Sequence, residues 1–169
     1  HWRRSFSATL SNGPTFMNFG AMPLPLPRGE AVLRFLPHRP PIVLVDELVA
    51  SDGDTHTTRL LVRADNVFAE EGHLLEAGLI EHVAQSTALG TGYAAAGAGE
   101  GEPPVGFIGA VSRLRIERLP RIGEQLETTV AMQHRLANVQ VLLGTVRAAD
   151  AVIAEMEMKV FLMTGADGA

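Results

Sequence analysis

A chain of 169 residues, 46% apolar and 20% charged, can bury one substantial core and is too short for two. Its net charge of −5 has the wrong sign for gripping phosphates, and one tryptophan and one tyrosine offer little for bases to stack on, so no nucleic-acid partner is expected. With no cysteine there are no disulfides, thiolate nucleophiles or cysteine-ligated zinc, and no apolar run reaches membrane-spanning length, which together predict a soluble cytoplasmic domain with no membrane partner.

Residues 1–27 carry glycine and proline punctuation without sustained apolar periodicity. They are expected to form a tail, and 28–169 a single domain. "GEAVLRFLPH" predicts a short helix over 29–36 that Pro37 ends, since a residue before proline avoids the α region. His38 follows the break. "IVLVDELVAS" (42–51) and "THTTRLLVRA" (55–64) predict two strands joined across the turn chemistry of "DGD".

From about 75 to 96, "LLEAGLIEHVAQSTALGTGYAAAGAG" places apolar or small residues on nearly every side of a helix, which should therefore be buried almost all round. Four strands follow, over 105–119, 124–134, 138–148 and 151–163, divided by "PRIGE", "RLAN" and "AD". The last alternates, with Val152, Ala154, Met156, Met158 and Val160 on one face and Glu155, Glu157 and Lys159 on the other. A single helix that is apolar on most faces needs a sheet curled around it. The fold class is therefore α+β, an antiparallel sheet wrapping one long central helix.

Two residues could carry chemistry. Glu81 has Ala77, Ala84, Gln85 and Ala88 as its helical neighbours, a stripe of small residues with no cation to pair with it. Desolvation there would raise its pKa and let it hold a proton near neutrality, with Gln85 one turn on to orient it; an exposed helix edge would instead leave it a solvated surface residue. His38, flanked by prolines that stiffen its backbone, could act as a general base or be a loop histidine bonded to backbone.

Other features are weaker. "GTGYAA" (90–95) matches a dinucleotide fingerprint but falls at the end of a helix, so no cofactor is expected. His73 and Glu76 lack further ligands at metal-binding spacing, and no metal is expected. His82 points about 100° away from Glu81 around the helix, so the two form no dyad. Among Arg113, Arg115, Arg118 and Arg121, the first two share a strand face, either as a solvated surface or as a docking patch for an acidic partner.

"LPHRPPIVLVDELV" resembles the L-P-H-R-x-P-x-L-L-V-D motif of the β-hydroxyacyl-acyl-carrier-protein dehydratases, and "GLIEHVAQ" resembles their helix motif, a glutamate followed by x-x-A-Q. "VGFIGAVSRLRIERLPRIGEQLE" is similar to their next strand, turn and strand, so the resemblance spans about 29–163 and comes nearest to the aryl-polyene and flexirubin-pathway dehydratases. It implies a hot-dog fold and dehydration of a (3R)-3-hydroxyacyl thioester to the trans-2-enoyl thioester. His38 would then be the base at C2 and Glu81 the acid for the 3-hydroxyl. Gln85, Phe107, Gly109 and Ala110 would contact substrate, and no cofactor would be needed.

The implied partner is an acyl carrier protein bearing the substrate on phosphopantetheine. The implied assembly is a homodimer or higher, or a heterodimer with a related dehydratase, with the histidine of one protomer beside the glutamate of the other. One position departs from the family pattern. The glycine that serves the thioester oxygen, five residues before the glutamate, is here Glu76, and the loop before it is shorter. Two alternatives follow: a catalytically weak acyl-binding subunit that completes a heterodimer, or a hot-dog acyl thioesterase in which the helix carboxylate activates water.

Overall fold

A computed structural model describes residues 23–102 and 105–163. A short 3₁₀ helix, Gly29–Arg34, is followed by β1 (Glu47–Asp52), β2 (Thr55–Leu61), β3 (Ala69–Glu70), β4 (His73–Leu74) and α1 (Glu76–Gly97). Then come β5 (Gly106–Ile116), β6 (Gln125–Leu136), β7 (Val139–Ala148) and β8 (Ala151–Leu162). Six strands form one antiparallel sheet in the order β1-β2-β6-β7-β8-β5, and β3 with β4 forms a small separate hairpin. The sheet wraps α1, the architecture expected for a helix with so few polar faces.

α1 is apolar nearly all round because it is covered twice. Leu79 and Val83 enter the main core with Leu60, Leu126, Leu142 and Met156 of the sheet. Leu89, helped by Ala88 and Tyr93, packs instead against Val32, Phe35 and Leu36 of the 3₁₀ segment. Glycines set the approach distances. A Cβ on Gly144 of β7 would lie 2.5 Å from Val83, and one on Gly90 would lie 2.1 Å from the His56 ring, so neither position admits a side chain while the helix stays where it is.

Several expectations shift. The strand expected over 42–51 begins at Glu47, because the backbone of Ile42 and Leu44 is hydrogen-bonded to the Gln85 side chain rather than to a neighbouring strand. On β8 the alternation holds only from Ala154 onward. A bulge at Ile153 sets Val152 opposite Arg147, on the outer face, and buries Ile153 in its place. The β3–β4 hairpin was too short to show a period; its turn residues Glu71 and Gly72 both have positive φ, 47° and 81°, as a two-residue hairpin loop requires. Of the expected tail, residues 1–22 lie outside the described residues. Pro27, by contrast, is buried and accepts the Leu48 N–H at 2.9 Å, and Tyr93 donates its hydroxyl proton to the Leu24 carbonyl.

The buried polar side chains of α1 are satisfied one by one. Ser86 donates to the His82 carbonyl at 2.8 Å and meets Thr58 Oγ1 at 2.7 Å, and Thr87 donates to the Val83 carbonyl at 3.0 Å. His82 is wholly buried: Nδ1–H donates to the Leu44 carbonyl at 2.6 Å, and Nε2 accepts from the Thr128 hydroxyl at 2.7 Å. That pattern uses the neutral imidazole, and burial lowers the pKa from 6.5 to about 4 against the opposing pull of the Leu44 carbonyl.

The sign of the resulting pH dependence follows from proton counting. Between pH 6.5 and about 4 the unfolded chain binds a proton at His82 that the folded chain refuses, so stability falls with pH, by about 3 kcal/mol in all from this one group. His56, also lowered chiefly by burial, adds to the loss in the same direction. Urea unfolding across that range should show the decline, and His82→Gln should flatten it in part. A slope unchanged in His82→Gln would mean that other groups carry it.

Candidate active site

His38 and Glu81 come together in one chain: Nε2 lies 3.4 Å from Oε1, with about a quarter of each side chain exposed. Three local causes produce this meeting. Pro37 ends the preceding segment and turns the chain outward, and Arg39 Nη1 donates to the carbonyls of Leu36 and His38, both at 2.7 Å, which ties down the turn. Gln85, fully buried, then fastens the following segment to α1. Its Oε1 accepts the Leu44 N–H at 2.7 Å, while Nε2 donates to the Ile42 carbonyl and to Glu81 Oε1, both at 2.8 Å.

One carboxamide therefore both positions the loop that carries His38 and orients Glu81. Within the chain His38 already reaches Glu81, because residues 42–44 are pinned to the chain's own helix. Nδ1 of His38 is buried and has no hydrogen-bond partner among the described residues. Nε2 is the nitrogen that faces Glu81.

The pair opens on a cavity of about 280 Å³. One wall is the α1 face of Glu81, Ala84, Thr87, Ala88 and Thr91; the other is Gly106, Phe107 and Ile108 of β5 with Gln140, Val160 and Leu162. Ala84 and Ala88 of the small-residue stripe line it, which leaves room beside the carboxylate. Phe107 also lines it, stacked on Phe161 at 5.6 Å between ring centroids. Gly109 and Ala110 do not. Gly109 is the extra residue of a bulge, packed under the Phe161 ring, and Ala110 is paired with Lys159 on the outer face.

The first turn of α1, whose free amides would suit a thioester oxygen, also lies outside the lining. Gly78 is turned into the core against Leu74 and Phe68, so it does not replace the glycine missing at Glu76. Thr91 and Gln140 were not singled out from the sequence. The second left a signal, a polar residue at an inward position of the alternating strand "NVQVLLGTV".

Elsewhere the candidates find ordinary roles. His73 Nδ1 is bonded to the Glu71 carbonyl at 2.9 Å, and among the described residues no group of three or more His, Asp or Glu could hold a metal ion. The arginines are largely balanced by glutamates. Arg113 lies 3.4 Å from Glu157, Arg115 lies 2.6 Å from Glu117, and Arg118 donates to both oxygens of Glu124, holding that carboxyl down to about 2. Among the described residues no helix is long and apolar enough to cross a membrane.

A curled antiparallel sheet around one long central helix is the hot-dog fold, and solved structures agree. The chain is similar to the dehydratase heterocomplex ApeI:P from Xenorhabdus doucetiae, with a TM-score of 0.74 at 18% identity over 80% of this chain and 92% of that one. It is also similar to smu.793 from Streptococcus mutans bound to acetyl CoA (TM-score 0.56, 14% identity, 75% of this chain and 94% of that one). A hypothetical thioesterase with coenzyme A from Streptococcus pneumoniae shares the fold as well (TM-score 0.55, 11% identity, 69% and 84%). No curated protein matches the sequence. The family model for ApeP-like proteins, described as ApeP dehydratase, matches residues 30–167, and the chain belongs to that family.

Gln85→Leu tests the fastening. It leaves the buried Leu44 N–H without an acceptor, at a cost of about 1–3 kcal/mol, and frees the His38 loop. Denaturant unfolding should register the loss, and amide exchange at Leu44 should rise well above that of the β6–β7 core. Exchange at Leu44 equal to wild type would show that the loop is held by something else.

Proposed function

We propose that this protein dehydrates a (3R)-3-hydroxyacyl thioester to the trans-2-enoyl thioester, with His38 as base and Glu81 as acid. The observation that carries the reading is the 3.4 Å approach of His38 Nε2 to Glu81 Oε1 at the edge of a cavity, with Gln85 bracing the carboxylate. Loss of water across adjacent carbons needs a base for the C2 proton and an acid for the 3-hydroxyl within one small space. This pair supplies both without a metal.

In the step, Nε2 takes the C2 proton as the C2–C3 double bond forms, and the C3–O bond breaks as Glu81 gives its proton to the departing hydroxyl. Water leaves, and an imidazolium stands beside a carboxylate. Return of that proton from the imidazolium to the carboxylate restores both groups for the next turnover. The substrate would arrive on the phosphopantetheine of an acyl carrier protein, in a fatty-acid-like or aryl-polyene type of synthesis.

A second reading has its own support. The first turn of α1 does not line the cavity, so nothing from it meets the thioester oxygen, and β5 is an edge strand that leaves Phe107, Ile108 and Leu114 exposed. Such an edge suits pairing with a second hot-dog subunit. In this reading the chain is one half of a dehydratase heterodimer and is weakly active until its partner binds. Incubation with a short 3-hydroxyacyl thioester separates the cases: enoyl absorbance favours the dehydratase, free thiol a thioesterase, and neither the subunit that needs a partner.

His38→Ala and Glu81→Gln should each lower the dehydration rate on the order of 10²–10⁴-fold with little change in stability. Activity within a few-fold of wild type for either variant would remove that residue from the mechanism.

Because both residues belong to one chain, mixing these two variants should restore nothing even after confirmed subunit exchange. Recovery to about a quarter of wild-type activity would instead show a site shared across a two-fold interface, since half the dimers would be mixed and each would hold one intact site.

A further inference from the structure

Gln140 is the one polar member of the inward row of β7, whose other members are Leu142, Gly144, Val146 and Ala148. It is 8% exposed, its Oε1 is shut off from water, and its carboxamide makes no hydrogen bond among the described residues. Every buried polar side chain on α1 is bonded; this one is not. An unpaired buried carbonyl oxygen opposes folding, so this position suits a partner from outside the chain.

Its place says what kind of partner. Gln140, Thr91 and Leu162 line the cavity of His38 and Glu81 and also a second cavity of about 590 Å³, walled on its far side by Asp54, His56 and Arg135. The three residues therefore stand where the two spaces adjoin. A ligand that reached from His38 and Glu81 into the second cavity would run past Gln140.

We infer that Gln140 is a specificity-determining residue that pairs with a hydrogen-bonding group, a hydroxyl or an amide, carried by the thioester ligand beyond its reacting carbons. The carboxamide can meet either kind of group, because a half-turn about its last torsion exchanges the donor and acceptor ends. The same chemistry could come from the acyl chain or from the amides of the pantetheine arm. The inference rests on the acyl-thioester reading of the site, and it names what that site selects.

The test is direct binding, by calorimetry, of thioesters that lack a 3-hydroxyl and so cannot be dehydrated. One arm compares 8-hydroxyoctanoyl with octanoyl, both on N-acetylcysteamine; the other compares octanoyl-pantetheine with octanoyl-N-acetylcysteamine. In one of the arms the ligand with the added polar group should bind wild type on the order of ten-fold more tightly, and Gln140→Leu or Gln140→Met should abolish that preference while keeping the plain ligand within a few-fold. The arm that responds identifies the source. Absence of preference in wild type in both arms overturns the inference, whether or not the variants fold, and so does a preference that survives in a folded variant. A protein that shows the preference yet forms no enoyl product from a 3-hydroxyacyl thioester would keep this inference and lose the dehydratase reading.

Discussion

The arrangement depends on one buried carboxamide. Gln85 spends both its oxygen and its nitrogen on neighbours, and each bond has a different consequence: Leu44 and Ile42 fasten the loop, and Glu81 is turned toward it. Made in a water-excluded place, such bonds resist competition from solvent, and losing any of them strands a buried group. The His38 loop is therefore held to the helix rather than to the sheet. A segment that looks like a strand from its β-branched residues is withheld from strand pairing to serve as a bracket.

The same economy governs the rest of α1. A helix sandwiched between sheet and 3₁₀ segment would ordinarily be apolar throughout, yet His82, Gln85, Ser86 and Thr87 sit successively in its buried faces. Their bonds bind it to the loop at Leu44, to β2 at Thr58 and to β6 at Thr128. These directed contacts give the helix one rotational setting about its own axis. Apolar packing alone specifies that setting poorly, because small side chains surround the helix on most sides.

Much of this was legible in the residues. The order of the main elements, the nearly all-round burial of the helix and the contact of Gln85 with Glu81 follow from period and from i, i+4 spacing, while the pairing of His38 with Glu81 was implied by the family resemblance. What was hidden has a common physical origin. The bulges at Gly109 and Ile153 each insert one residue and so reverse which side chains face inward, which turned Ala110 to the outer face and Val152 off the core. No alternation rule can see an insertion that the partner strand imposes. The intrachain pairing of His38 with Glu81 was hidden for a different reason, since it depends on where the Ile42–Leu44 backbone finds its partners, which no local pattern encodes.

The pitch of an α-helix has a stereochemical consequence here. Gln85, one turn beyond Glu81, occupies Oε1, and His38 lies toward the same oxygen, so Oε2 is the oxygen left clear of both. The carboxyl is thereby desymmetrised: one oxygen is anchored, the other armed. In a dehydratase built this way, Nε2 and Oε2 mark two fixed points on one wall, and a substrate must offer its C2 hydrogen and its hydroxyl to them from the same face. The mirror-image alcohol, seated with its thioester in the same direction, would turn its oxygen away from the wall. The handedness of the accepted alcohol would then be inherited from the handedness of the helix.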